Sequence, residues 1–160
     1  MSTADAILGA LPHLSGAAPH ILLIRAPYYR AIVDGMTQSA LSLLAQAGAT
    51  HQSIDVAGAF ELPQALRIAL RGTQRFDGYI ALGCVVRGET DHYDYICSSA
   101  MTGLIQVSLQ YGIALGTALL TVETLTQAEA RSAETGPNKG AEAAIACLRQ
   151  IAIARDLGAA

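Results

Sequence analysis

The chain has 160 residues, enough for one domain around a single core. Its formal net charge is -3, so it carries no basic field able to hold nucleic acid. Only 14% of its residues are charged, against about a quarter in an ordinary soluble domain, which fits either a large subunit interface or a surface rich in alanine.

Residues 1–19 carry Gly, Pro, Ser and Ala with little periodicity and are expected to form a flexible or partner-dependent N-terminal arm. Residues 20–160 then form a single domain. The run His20-Ile-Leu-Leu-Ile-Arg25 suits a strand buried on both faces, and Pro27 stops it. Apolar residues at helical spacing (Ile32, Val33, Met36, Ala40, Leu43, Leu44) predict a helix over Arg30–Ala47, ended by Gly48. Ser53–Val56 is the second strand. Glu61–Arg71 is the second helix, with Pro63 in its first turn, where proline is tolerated.

Gly78–Val86 is the most strand-like run of the chain. The polar segment Arg87–Asp94 follows, then a helix over Tyr95–Tyr111 stopped by Gly112. Ile113–Val122 is the fourth strand, Thr126–Ser132 a short helix, and Lys139–Leu157 the last helix. Strands alternating with helices predict an α/β fold with a parallel sheet, right-handed crossovers and helices on both faces. In such sheets ligands bind beyond the carboxyl ends of the strands. That rule selects the loops Arg25–Tyr29, Ala57–Glu61, Arg87–Asp94 and Glu123–Thr126.

Cys84, Cys97 and Cys147 lack CxxC spacing and sit among apolar neighbours, so they are expected to be buried free thiols in a reducing compartment. No apolar run approaches the ~18 residues that a membrane span requires. The first residues lack a basic region ahead of an apolar stretch, so no secretory signal is expected, and the cytoplasm is the expected location.

Three of the selected loops carry residues suited to chemistry. In Arg87–Asp94, Gly88 is expected to permit a tight turn, and the backbone N–H groups at the following helix start suit an anion such as phosphate. His92, with Asp91 and Asp94 nearby, fits a general acid/base, since imidazole ordinarily titrates near neutrality. The plain alternative is a surface histidine. In Ala57–Glu61, Gly58 and Ala59 let a ligand approach the backbone, Phe60 can stack on a flat ring, and Glu61 can accept hydrogen bonds from hydroxyls. The plain alternative puts Phe60 in the core and Glu61 at a helix dipole. Tyr28 and Tyr29 are stacking candidates or packing residues. Arg131 and Lys139, the only lysine, flank the last turn and suit phosphate as fork and point charge. The pattern describes a cleft for a flat, hydroxylated, phosphate-bearing ligand. No GxGxxG opens the first helix and no GxxxxGK[ST] occurs, so neither a dinucleotide nor a P-loop nucleotide is indicated.

Four motifs resemble one family. They are Gly58-Ala-Phe-Glu-Leu-Pro63; Leu82-Gly-Cys-Val-Val-Arg-Gly-Glu-Thr-Asp-His-Tyr-Asp94; Leu120-Thr-Val-Glu123 with Gln127-Ala128; and Asn138-Lys-Gly140. In this order and spacing, from His20 to the end, the chain is similar to lumazine synthases. The resemblance implies a flavodoxin-like three-layer sandwich with a four-stranded parallel sheet, and a homopentamer with active sites between subunits. It implies condensation of 5-amino-6-(D-ribitylamino)uracil with 3,4-dihydroxy-2-butanone 4-phosphate to 6,7-dimethyl-8-ribityllumazine, phosphate and water, the penultimate step of riboflavin biosynthesis, without cofactor or metal. By position it implies that Tyr28 stacks on the ring, and that Ala59, Phe60 and Glu61 contact the ribityl side. Cys84, Val85 and Val86 would hold the pyrimidine through backbone groups. Glu89 and Thr90 would offer N–H groups to phosphate, which a neighbouring subunit's Arg131 would clamp with Lys139 close by. His92 takes the proton-transfer position.

Three positions depart from the family pattern. Tyr28-Tyr29 stands where Phe or Trp followed by Asn is common. Thr117 replaces a Phe that closes the site from the neighbour. Ser132–Asn138 replaces the Gly-rich turn of sixty-subunit shells, which favours a free pentamer. A non-catalytic flavin- or lumazine-binding or scaffold relative of the same fold is the alternative these departures leave open.

Overall fold

The computed structural model describes residues 9–134, 136 and 138–159. Strands β1 (His20–Ala26) and β3 (Gly78–Val86) are nearly unbroken apolar runs, and both lie in the middle of the sheet. Ile21, Leu22, Leu23 and Ile24 are all at most 2% exposed. Burying each such side chain contributes about 1.5–3 kcal/mol, so β1 anchors the core from both faces. β4 (Ala114–Val122) flanks β3, and β2 (Thr50–Asp55) flanks β1. All pairings are parallel, with Ile21 opposite Gly78 and Gly78 opposite Ala114. The order β2-β1-β3-β4 is that of the first four strands of the flavodoxin-type sheet.

Two helical layers cover the sheet. Helices α1 (Arg30–Gln46), α4 (Leu125–Ser132) and α5 (Lys139–Asp156) lie on one face, where Val33, Met36, Leu44, Ala128, Cys147 and Leu148 meet Ile21, Leu23, Ile80 and Leu82. Helices α2 (Leu62–Arg71) and α3 (His92–Tyr111) lie on the other, where Leu62, Leu66, Ala100 and Leu104 meet Leu22, Ile24, Tyr79 and Ala81. Strand residues thus alternate between two cores, as the two-residue period requires.

The element boundaries differ from expectation mainly at β2 and α3. β2 starts three residues early and ends one early, because Thr50-His51-Gln52-Ser53 joins β1 through its backbone while its side chains stay exposed. An edge strand held this way has no apolar pattern to read. α3 begins at His92 rather than Tyr95, so the histidine stands on the helix itself. α1 and α3 end as expected: Gly48 and Gly112 adopt left-handed φ values of 69° and 59°.

Asn138 ties one end of the α1 layer together. It caps α5 by accepting from Gly140 N at 2.8 Å and Ala141 N at 3.3 Å. Its amide donates to Ser132 O at 2.8 Å, Ala133 O at 3.1 Å and Gly35 O at 3.4 Å. Of the segment expected to be an arm, residues 9–19 run against α5. Leu11 and Leu14 pack on the core, and Arg155 Nη1 donates to Ser15 O at 2.6 Å and Ala17 O at 2.9 Å. Residues 1–8 of that segment lie outside the described residues. Among the described residues no helix is long and apolar enough to cross a membrane.

Candidate active site

The connection leaving β1 runs to β2 on one side of the sheet, and the connection leaving β3 runs to β4 on the other. A crevice opens where they part, above the carboxyl ends of these strands. A cleft of about 690 Å³ occupies it. Tyr28 and Tyr29 line it after β1, Ala57, Gly58, Ala59, Phe60 and Glu61 after β2, Cys84, Val85 and Val86 at the end of β3, and His92 and Ile96 on α3.

Local sequence explains how each wall is presented. Pro27 ends β1 and starts a short 3₁₀ turn, Pro27–Tyr29, which turns Tyr28 outward. Tyr28 is 76% exposed and meets Tyr29 edge to face at 5.2 Å between ring centres. A second 3₁₀ turn, Ala59–Glu61, buries Ala59 and leaves Phe60 47% exposed. Phe60 is therefore not a core residue. Glu61 N donates to Gly58 O at 3.2 Å, and the Glu61 carboxylate folds back to 3.3 Å from where a Cβ on residue 58 would stand. Gly58 leaves room for that carboxylate at the cleft.

The polar groups differ in what they can do. Burial pushes the Cys84 thiol up to about 11, with Cys97 adding to the shift. Cys84 is therefore a neutral thiol near pH 7 and no thiolate nucleophile. All three cysteines are free, but Cys97, in the first turns of α3, is only half-buried. His92 opens α3, and among the described residues its ring makes no hydrogen bond to the protein. No side chain caps the start of α3; Asp94 N donates to Asp91 O at 3.1 Å, which leaves the N–H groups of His92 and Tyr93 to meet an anion at the positive end of the dipole. Gly88 departs from expectation: its φ is not positive, and among the described residues a Cβ there would meet nothing within 4 Å beyond its chain neighbours. The turn needs no glycine on backbone grounds. Among the described residues no group of three His, Cys, Asp or Glu is placed to share a metal ion.

Eight of the expected site residues line this one cleft: Tyr28, Ala59, Phe60, Glu61, Cys84, Val85, Val86 and His92. Five do not. Glu89 and Thr90 lie on the exposed loop ahead of α3. Thr117 lines a separate groove of about 400 Å³ with Met101, Ile105 and Gln150. Arg131 Nη1 donates to Gln127 O at 2.8 Å within α4. Lys139 pairs with Glu142 at 2.7 Å on α5. Ala57 belongs to the selected loop Ala57–Glu61, whereas Ile96 lies outside every selected loop. Ile96 stands four residues after His92, so both share a helix face, and that spacing was the available signal.

A doubly wound parallel sheet, with aromatic, carboxylate and imidazole groups gathered at its switch point, defines a small-molecule-binding α/β domain. The family model for 6,7-dimethyl-8-ribityllumazine synthase matches residues 18–155. A 6,7-dimethyl-8-ribityllumazine synthase of Paramagnetospirillum magneticum is 41% identical over 144 residues, covering 86% of this chain and 96% of that protein. One from Methylobacterium radiotolerans is 42% identical, covering 90% and 86% respectively. The 6,7-dimethyl-8-ribityllumazine synthase 1 of Rhizobium meliloti is 40% identical, covering 88% and 94%. The chain belongs to the 6,7-dimethyl-8-ribityllumazine synthase family.

Proposed function

We propose that this chain catalyses the condensation of 5-amino-6-(D-ribitylamino)uracil with 3,4-dihydroxy-2-butanone 4-phosphate, forming 6,7-dimethyl-8-ribityllumazine with release of phosphate and of a water at each of imine formation and ring closure. The observation that carries this reading is the single cleft that joins exposed Tyr28 and Phe60, the Glu61 carboxylate and His92. A flat pyrimidine stacks against the aromatic groups, and its edge meets backbone groups of Cys84–Val86. The ribityl hydroxyls donate to Glu61. The phosphate lies at the loop of Glu89 and Thr90, ahead of the open start of α3. Imine formation, phosphate elimination and ring closure each move protons, which is the work of His92. None of these steps needs a covalent nucleophile, consistent with the neutral Cys84 thiol. Holding two substrates together supplies much of the acceleration.

One chain carries only part of this site. Arg131, Lys139 and Thr117 lie away from the cleft of their own chain. Tyr95, Met101, Ile105 and Leu109 are exposed on one side of α3, an apolar face that suits burial against a second copy. Both features support a homopentamer in which a neighbour's Arg131 completes the phosphate site. The cytoplasm, where the thiols stay reduced, is the compartment that fits.

Mixing the purified protein with both substrates and following lumazine absorbance tests the reaction. A rate no higher than the uncatalysed condensation sinks it, and tight riboflavin binding without turnover would identify a binding protein instead. Light scattering should give the mass of five chains; a single-chain mass removes the shared site. Arg131→Ala should raise KM for the phosphorylated substrate by roughly ten- to a hundredfold, the scale of a lost charge-assisted contact. KM for the amine substrate should stay near wild type, and an unchanged KM for both substrates would remove Arg131 from the clamp.

A further inference from the structure

Arg87 does not line the cleft, yet every nitrogen of its guanidinium is engaged. Nε lies 2.9 Å from Glu123 Oε2, just beyond β4. Nη1 donates to Asp94 Oδ2 at 3.0 Å and Nη2 to Asp94 Oδ1 at 2.9 Å, a two-pronged fork onto the first turn of α3. The guanidinium carbon also stands 4.1 Å from the ring centre of Tyr93. The backbone N–H of Arg87 donates to Val122 O at 2.9 Å, continuing the β3–β4 register by one step. One side chain therefore joins the ends of β3 and β4 to residues 93 and 94.

His92 immediately precedes those two residues, and among the described residues its ring has no protein hydrogen bond to orient it. Its place at the cleft is set by its backbone, which is the backbone that Arg87 grips through Tyr93 and Asp94. The magnitudes separate two explanations. The ion pairs are well exposed, with Arg87 at 37%, Asp94 at 60% and Glu123 at 58% side-chain accessibility. Exposed pairs contribute little to stability. A planar fork that also stacks on a ring fixes orientation in a way a lysine cannot. The geometry buys placement more than stability.

Charge adds a second effect. Glu123 and Asp94 both border the loop of Gly88–Asp91, and Arg87 offsets them. Without it, the unpaired carboxylates of Asp94 and Glu123 would add to those of Glu89 and Asp91 beside an incoming phosphate. We propose that Arg87 is a positioning residue: it locks the first turn of α3 to the ends of β3 and β4, holding His92 at the cleft and offsetting the charges of Asp94 and Glu123 beside the phosphate loop. Its kinetic consequences rest on the proposed condensation; the locking of the turn does not.

Arg87→Gln and Arg87→Lys, compared with wild type in oligomer size, Tm, kinetics and amide hydrogen exchange, test this. In Arg87→Gln, oligomer size should hold and Tm should move little. KM for the phosphorylated substrate should rise and kcat fall, each by about tenfold, the scale of a lost charge-assisted hydrogen bond. KM for the amine substrate should stay near wild type. Arg87→Lys should recover KM, because it restores the charge, but not kcat, because it lacks the fork. In both variants, exchange at residues 88–94 should quicken while β1 and α5 keep their protection. Wild-type kinetics in Arg87→Gln would overturn the inference, as would a uniform loss of Tm and of every kinetic parameter. A wild-type chain without turnover would sink the condensation instead. Exchange would then decide alone: unchanged rates at residues 88–94 reject the lock, and faster rates keep it.

Discussion

His92→Ala is expected to lower kcat by about a hundredfold or more, the usual contribution of a placed general acid/base. The substitution should leave assembly and Tm nearly unchanged, because the ring is exposed and makes no hydrogen bond within the described protein. KM for both substrates should change much less than kcat, since Tyr28, Phe60 and Glu61 still line the cleft. The residual rate should remain above the uncatalysed condensation, because two substrates held side by side keep their advantage. Steady-state kinetics on the intact oligomer checks this. A variant that runs at full rate would remove proton transfer by His92 from the mechanism and leave proximity alone.

Gly140→Ala is expected to lower stability by about 2 kcal/mol or more and Tm by roughly 5 °C or more. Gly140 is the second residue of α5, and a Cβ built there overlaps the carbonyl group of Met36 in α1. That group is backbone and cannot rotate aside as a side chain can, so the two helices would have to separate. Alanine's better helix propensity, about 1 kcal/mol over glycine, offsets part of this loss. Gly88→Ala is the internal control. Among the described residues nothing beyond its chain neighbours lies within 4 Å of its added Cβ, so its Tm should match wild type. Thermal unfolding of the two variants side by side tests the contrast, and equal Tm values would show that α1 and α5 can part without cost.

Much of the fold was legible because its signals are local. The apolar runs of β1 and β3 and the glycine stops after α1 and α3 stand in the sequence as they stand in the structure. β2 was displaced by several residues, since an edge strand joined through its backbone leaves no hydrophobic pattern. α3 starts three residues before the expected Tyr95, because His92-Tyr93-Asp94 carries no apolar helical period of its own. Two residues shared the same motif and had different fates: Lys139 lies away from the cleft with Glu142, while Asn138 proved to be the knot of α1, α4 and α5.

The candidate site divides along the same line. Sequence alone selected the loops at the carboxyl ends of the strands, where a parallel sheet places ligands, and all but Glu123–Thr126 contribute residues to the cleft. It also pointed to the aromatic, carboxylate and imidazole types those loops carry. Only the tertiary structure decided that Tyr28, Glu61, Cys84 and His92 share one cleft. It also turned Phe60 to the surface, pushed the Cys84 thiol pKa up by burying it, and paired Arg87 with Asp94 in the first turn of α3. The physical reason is distance along the chain. Propensity and periodicity act over a few residues, whereas burial, desolvation and the meeting of Arg87 with Glu123 depend on segments brought together only by the sheet.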